Sequence, residues 1–215
     1  MAKRETCVVI FDMDGTLIDL PVNWFRTKRR LAELLKADLS APLVIPSVYK
    51  VARQDPDLLR RAFEIIEEEE MASISHSRAL RGAKSLIAKL KGHRLAVVTL
   101  QGKAAAYKAL RKAGLLRFFD EIVTREISSD RAEQIQVVKE KIHGRKYIMI
   151  GDRLNDVESA KKEGCYAILL KPDLQTDVGA DLVVESLGTN NRAILKKIQE
   201  LCGYQNNSLS VLSDK

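Results

Sequence analysis

The chemistry available to this chain is concentrated in a few acids that directly follow apolar runs. In Val8-Val9-Ile10-Phe11-Asp12-Met13-Asp14-Gly15-Thr16-Leu17 an uninterrupted apolar segment ends in two carboxylates, a glycine and a hydroxyl. An aspartate of ordinary pKa is ionised at neutral pH and can act as a nucleophile or ligand without needing a base. A second carboxyl two residues on can give and take a proton. Carboxylates gathered at one place repel one another, so such a site calls for a cation. Asp and Gly favour turns for local reasons, which accounts for Gly15 but not for two acids flanking one apolar residue. The arrangement recurs in Gly151-Asp152-Arg153-Leu154-Asn155-Asp156, which follows Tyr147-Ile148-Met149-Ile150. Two acid-bearing strand ends in one chain are costly without a cation.

Asp-Met-Asp-Gly-Thr-Leu at 12–17 resembles the first motif of the haloacid dehalogenase superfamily, whose members are mostly magnesium-dependent phosphohydrolases with an aspartate nucleophile. The resemblance implies the phosphatase branch with a small helical cap, of the phosphoglycolate phosphatase-like kind. Asp12 would be nucleophile and Mg2+ ligand. Asp14 would act as general acid and then base, and would give the metal its backbone carbonyl. Dehalogenases of the superfamily lack this second acid, because halide leaves without a proton, so Asp14 favours phosphoryl transfer. Thr99, after Val97 and Val98, resembles the second motif, a hydroxyl on a transferring phosphoryl oxygen. Leu100-Gln101-Gly102 follows where the family often has Asn, so phosphate contacts from Leu100 and its neighbours would be backbone amides.

Asp152 resembles the acidic fourth motif and would ligate the metal directly. Asp156 would orient metal waters or neighbouring cations from the first helical turn, or merely cap that helix. The third motif departs from the pattern: Ser128-Ser129-Asp130-Arg131-Ala132-Glu133 lacks the usual lysine and proline. Arg131, after Asp130 as a possible N-cap, takes that place as catalytic and phosphate-binding cation. Lys139 is the alternative, but eight residues of helix carry it about 12 Å away. Arg125 could share the role, although it reads as a surface residue.

These residues need elements to hold them. The apolar run ending at Asp12 suits a strand covered on both faces, as in a parallel sheet whose ligands bind beyond the carboxyl ends of the strands. Helical periodicity follows over 22–36 and 56–71, with a proline-rich connector and a short helix over 47–53 between them, and no clear strand over 20–80. From Gly82 the pattern alternates: helices over 83–91, 103–113, 131–142, 156–163 and 192–201, and strands over 95–99, 121–124, 147–150, 167–170 and 182–184. The expected fold is α/β, a doubly wound parallel Rossmann-like sheet with an inserted helical cap. Residues 1–19 and 82–203 would form the core, 20–81 the cap and 204–215 a loose tail.

At 215 residues, 46% hydrophobic and 30% charged, with no bilayer-crossing apolar run and no apolar segment of a signal peptide in Met1–Thr6, the chain is expected to be a soluble globular protein of the cytoplasm. Cys7, Cys165 and Cys202 read as reduced packing thiols. His76, His93 and His143 lack metal-ligand spacing. The block Glu67-Glu68-Glu69-Glu70 reads as a solvated helix face. The net charge of +7 is spread along the chain, which favours anionic substrates over nucleic acid. Asn23, Arg26 and Arg53 are candidates for substrate contact. The expected activity is magnesium-dependent hydrolysis of a small phosphorylated metabolite by a monomer or homodimer. A phosphomutase, or a non-catalytic phosphate- or nucleic-acid-binding protein on the same scaffold, are the alternatives.

Overall fold

The computed structural model describes residues 7–39, 44–171 and 179–203. The expected tail at 204–215 lies outside the described residues. Strand β1 (Cys7–Asp12) leads through β2 (Ile18–Asp19) into three helices, α1 (Trp24–Leu35), α2 (Val44–Ala52) and α3 (Pro56–Ser73), then into β3 (Arg78–Ala79). Strands and helices then alternate: α4 (Ala83–Lys89), β4 (Arg94–Val98), α5 (Lys103–Lys112), β5 (Glu121–Val123), α6 (Arg131–Lys141), β6 (Lys146–Gly151), α7 (Leu154–Lys162), β7 (Tyr166–Leu170), β8 (Leu182–Val184) and α8 (Leu187–Cys202).

Six strands form one sheet in the order β5-β4-β1-β6-β7-β8, every pair parallel. This is the doubly wound α/β sheet the alternation implied. The chain steps outward from β1 to β4 and β5, then crosses to β6 and continues the other way, so the topological switch lies beside β1. All six residues of β1 are buried. Cys7, Val9 and Phe11 pack under α4, α5 and α8, whereas Val8 and Ile10 pack under α6 and α7. A period-two strand with two apolar faces therefore reads as a continuous apolar run.

The helical insert has an apolar cluster of its own, built on Leu31, Leu35, Val48, Ala62 and Ile66, and Leu100 of the sheet's β4–α5 loop packs against it. Its two connections run side by side as the antiparallel pair β2–β3, closed by Arg78 Nη2 to Asp19 Oδ2 at 2.9 Å. That short β3 is a strand the periodicity did not show.

Other expectations are corrected. Cys7 and Cys202 are joined in a disulfide that spans 195 residues, while Cys165 is free and buried. His93 lies beside that pair, but sulfurs bonded to each other offer no thiolate to a metal. Helix α8 begins at Leu187, with a break at Asn190, and not at 192. Glu69 and Glu70 of the acidic block are buried and paired, not solvated. Arg125 is likewise buried, at 3% exposure. Among the described residues no helix is long and apolar enough to cross a membrane.

Candidate active site

The carboxyl ends of β1, β4 and β6 and the first turn of α6 converge on one pocket of about 180 Å³. Asp12, Asp14, Thr99, Leu100, Arg131 and Asp156 all line it. Asp12 is the last residue of β1 and 5% exposed. Arg131 opens α6, which Asp130 caps by accepting the Ala132 and Glu133 amides at 2.7 and 3.3 Å. That cap sets the register that aims the guanidinium inward. Arg131 Nη2 donates to Asp12 Oδ1 at 2.5 Å, and Nη1 donates to Gln134 Oε1 at 3.0 Å. Nε stands 3.0 Å from Asp156 Oδ1 as an ion pair, but its N–H is not directed at that oxygen. Lys139, the alternative cation, instead donates to the Glu163 carbonyl at 2.7 Å.

Asp156 is the third residue of α7, not its N-cap, and its Oδ2 accepts the Arg153 amide at 3.2 Å. Carboxylate oxygens of Asp12, Asp152 and Asp156 lie within 4.8 Å of one another. Gly15, at φ 85°, makes room for this, since a Cβ there would meet Asp152 Oδ2 at 2.5 Å. Thr16 Oγ1 reaches Asp152 Oδ1 at 3.5 Å from the same turn. The cluster carries an unsatisfied buried atom, Asp156 Oδ1, and only hard oxygen donors. These residues fit a small divalent cation such as Mg2+.

Burial holds the Asp12 carboxyl well above the usual range, with Arg131 opposing and Asp156 and Asp152 adding to the rise. Asp152 is raised by burial and then by Asp156. Burial opposes the Arg131 charge, but Asp12 and Asp156 outweigh it and the pKa goes up. The Asp14 side chain stands apart from this cluster: its Oδ1 accepts the Leu20 amide at 3.0 Å, where the chain enters the helical insert. Burial pushes Asp14 up to about 6, more than the Leu20 bond lowers it.

Thr99 is buried, and its hydroxyl accepts the Gln101 amide at 3.1 Å. Gln134 escaped the sequence reading. It is fully buried, donates to the Thr99 and Ser128 carbonyls at 2.8 Å each, and accepts from Arg131. Its one signal was a place one helical turn after Arg131. The far wall of the pocket comes from the insert, with Trp24, Lys28, Val44, Ile45 and Pro46, and no motif marked these residues. The insert residues proposed for substrate contact have other work or place: Asn23 caps α1 on the Arg26 amide, Arg26 pairs with Glu69 at 3.0 Å, and Arg53 lines a neighbouring groove.

A phosphoglycolate phosphatase of Nitrosospira multiformis is 29% identical over 181 residues, which cover 74% of this chain and 80% of that protein. Tyrosine-protein kinase PtkA of Mycobacterium tuberculosis is 26% identical over 186 residues, 76% of this chain and 61% of the kinase. A predicted phosphatase of Clostridium acetobutylicum has a similar solved structure, with a TM-score of 0.71 at 22% identity over 90% of this chain and 100% of the other. YfnB of Bacillus subtilis, solved bound to magnesium, gives a TM-score of 0.57 at 20% identity over 94% of this chain and 100% of the other. At these identities the solved structures establish the fold alone. Residues 9–170, from within β1 through the insert to the end of β7, match the haloacid dehalogenase-like hydrolases, and the chain is an enzyme that belongs to that family.

Proposed function

We propose that the enzyme hydrolyses small phosphomonoesters with magnesium, through an aspartyl phosphate on Asp12. The observation that carries this is the separation of two carboxyls on one pocket: Asp12 is held by Arg131 beside Asp152 and Asp156, whereas Asp14 stands apart from that cluster on the Leu20 amide. Beside Arg131 and a bound cation, which favour its ionised form, the first is placed to attack; the second, its side chain apart from both, is placed to give and take a proton. Asp12, Asp152 and Asp156 would hold the ion, with the Asp14 carbonyl as a further donor. When bound, it supplies the positive charge that lets a carboxylate approach a phosphate dianion.

Asp12 attacks phosphorus as the bond to the ester oxygen breaks, and Asp14 gives its proton to the departing alcohol. Asp14, now ionised, takes a proton from the water that attacks the acyl phosphate, which restores Asp12 and releases phosphate. Arg131 and the Thr99 hydroxyl steady the phosphoryl oxygens, and Gln134 keeps the guanidinium in place. Residues 20–81 act as the cap that closes the pocket. A cavity of about 180 Å³ admits a small organic group, and Lys28 on its wall favours an anionic one. With a phosphoglycolate phosphatase among the relatives, phosphorylated small organic acids are the first class to assay.

The test is release of inorganic phosphate from a panel of phosphomonoesters by the purified protein. Activity should vanish in chelator, return with magnesium and return poorly with calcium, whose looser coordination misplaces the reacting groups. Full activity in chelator would remove the metal from the scheme. Isomerisation of a sugar phosphate without free phosphate would make the enzyme a mutase.

A further inference from the structure

Among the described residues, one more ion pair has both side chains buried, and no step of the reaction uses it. Glu70, near the end of α3, is 0% exposed, and Arg125, just after β5, is 3% exposed. Arg125 Nη1 donates to Glu70 Oε1 at 2.5 Å, and the guanidinium lies 5.3 Å from the Phe63 ring of the same helix. The other carboxylate oxygen of Glu70 accepts the Gly102 amide at 3.1 Å. Arg125 Nη1 also donates to the Leu100 carbonyl at 3.3 Å, and its own backbone amide donates to the Gln101 carbonyl at 3.4 Å. Residues 100, 101 and 102 of the β4–α5 loop are therefore each bonded to one member of the pair. The approach is close: a Cβ on Gly102 would meet Arg125 Nη2 at 2.6 Å, so the guanidinium would have to shift.

Leu100 and Gln101 line the pocket beside Thr99, whereas Glu70 and Phe63 belong to the helical insert. We propose that Glu70 and Arg125 are positioning residues, through which the seating of the insert sets the backbone that faces the phosphoryl group. A buried guanidinium without its carboxylate is costly, and the N-terminus of α5 would lose an acceptor at the same moment. The loop is thus held in the conformation seen here only while α3 lies against the core. Both walls of the pocket then assemble together. The role of this loop in turnover rests on the phosphatase reading; its ordering by the pair does not.

The test compares wild type with Glu70→Gln and with the apolar replacement Glu70→Leu/Arg125→Met, each assayed well below its own melting temperature. The readouts are kcat and KM for an aryl phosphate, inhibition by inorganic phosphate, magnesium affinity, and amide hydrogen exchange over 99–103. Glu70→Gln should lower kcat about tenfold, weaken phosphate inhibition by a similar factor and speed exchange in the loop, while leaving magnesium affinity within about twofold. The double variant should recover melting temperature but neither kcat nor exchange protection. Wild-type kcat and loop exchange in folded Glu70→Gln, or a double variant that regains rate along with stability, would overturn the proposal. If the wild type releases no phosphate from any ester, the phosphatase reading fails, and the exchange data still decide whether this pair orders the loop.

Discussion

Arg131 and Arg125 lie six positions apart, both are nearly inaccessible to water, and each has a carboxylate oxygen at 2.5 Å. Their surroundings differ in charge. Arg125 faces Glu70, and the pair also bonds the Gly102 amide and the Leu100 carbonyl and lies against the Phe63 ring. Arg131 is one guanidinium among the carboxylates of Asp12, Asp152 and Asp156, with Asp156 Oδ1 lacking a hydrogen bond and the group opening on a pocket. Burial of charge is common to both regions and identifies neither. An excess of negative charge, reachable from a cavity, is what separates a place for a cation and an anionic substrate from an internal tie.

The largest effect should come from the excess-charge region. Asp12→Asn should abolish hydrolysis of every ester, however good its leaving group, because no aspartyl phosphate can form. Asp14→Asn should retain attack on activated aryl phosphates and accumulate the phosphoenzyme, visible by mass spectrometry of peptides after rapid acid quench. A phosphoryl group on any residue other than Asp12 in the native enzyme would break the assignment.

Next in size is Arg131→Ala, expected to lower the rate about a hundredfold or more, as for loss of one preorganised electrostatic stabiliser. Lys139→Ala should leave the rate within about twofold of wild type, because its ammonium is engaged with Glu163. Steady-state kinetics on a common substrate checks the ranking, and a reversed order would mean that the cation has been misassigned.

Stability should then separate the two arginines in a way that activity cannot. Arg125→Ala strands Glu70 and should cost about 3–5 kcal/mol, roughly 10 °C in melting temperature, equally in chelator and in magnesium. Arg131→Ala should cost less in magnesium than in chelator, because a bound ion can offset the carboxylates that the guanidinium leaves behind. Equal losses under both conditions would erase the distinction drawn between the two regions.

The smallest expected effect is in pH. Asp12, Asp14 and Asp152 all have folded pKa values above the ordinary 3.8, Asp14 at about 6. The fold therefore favours their protonated forms. Their contribution to stability is fully present below about pH 4 and is lost as pH rises through the raised values. Melting of the metal-free protein should fall by a few degrees over that window, and magnesium should restore more of it at pH 7.5 than at pH 5, since the ion competes with protons. Thermal scans at both pH values, with and without magnesium, decide this; an ion effect independent of pH would count against these carboxylates as its ligands.

Much of the candidate site was legible because its signals are local. An apolar run ending in Asp12, another ending before Asp152, and Asp130 just before Arg131 each specify an element and a register within a few residues. The parallel sheet then follows from the alternation of such elements, and its switch point brings the strand ends together whatever the loops contain. The places where the sequence reading failed concern pairings between distant residues. Glu70 looked solvated in a run of four acids, and Arg125 looked exposed at a strand end. Cys7 and Cys202 are 195 residues apart. Gln134, Trp24 and Lys28 belong to no motif. Local sequence determines whether a segment forms a helix or a strand and which residues share its face. Whether a charge on that face meets water, a counter-charge or a substrate depends on what another segment lays against it, and only the packing of the insert on the core decided that.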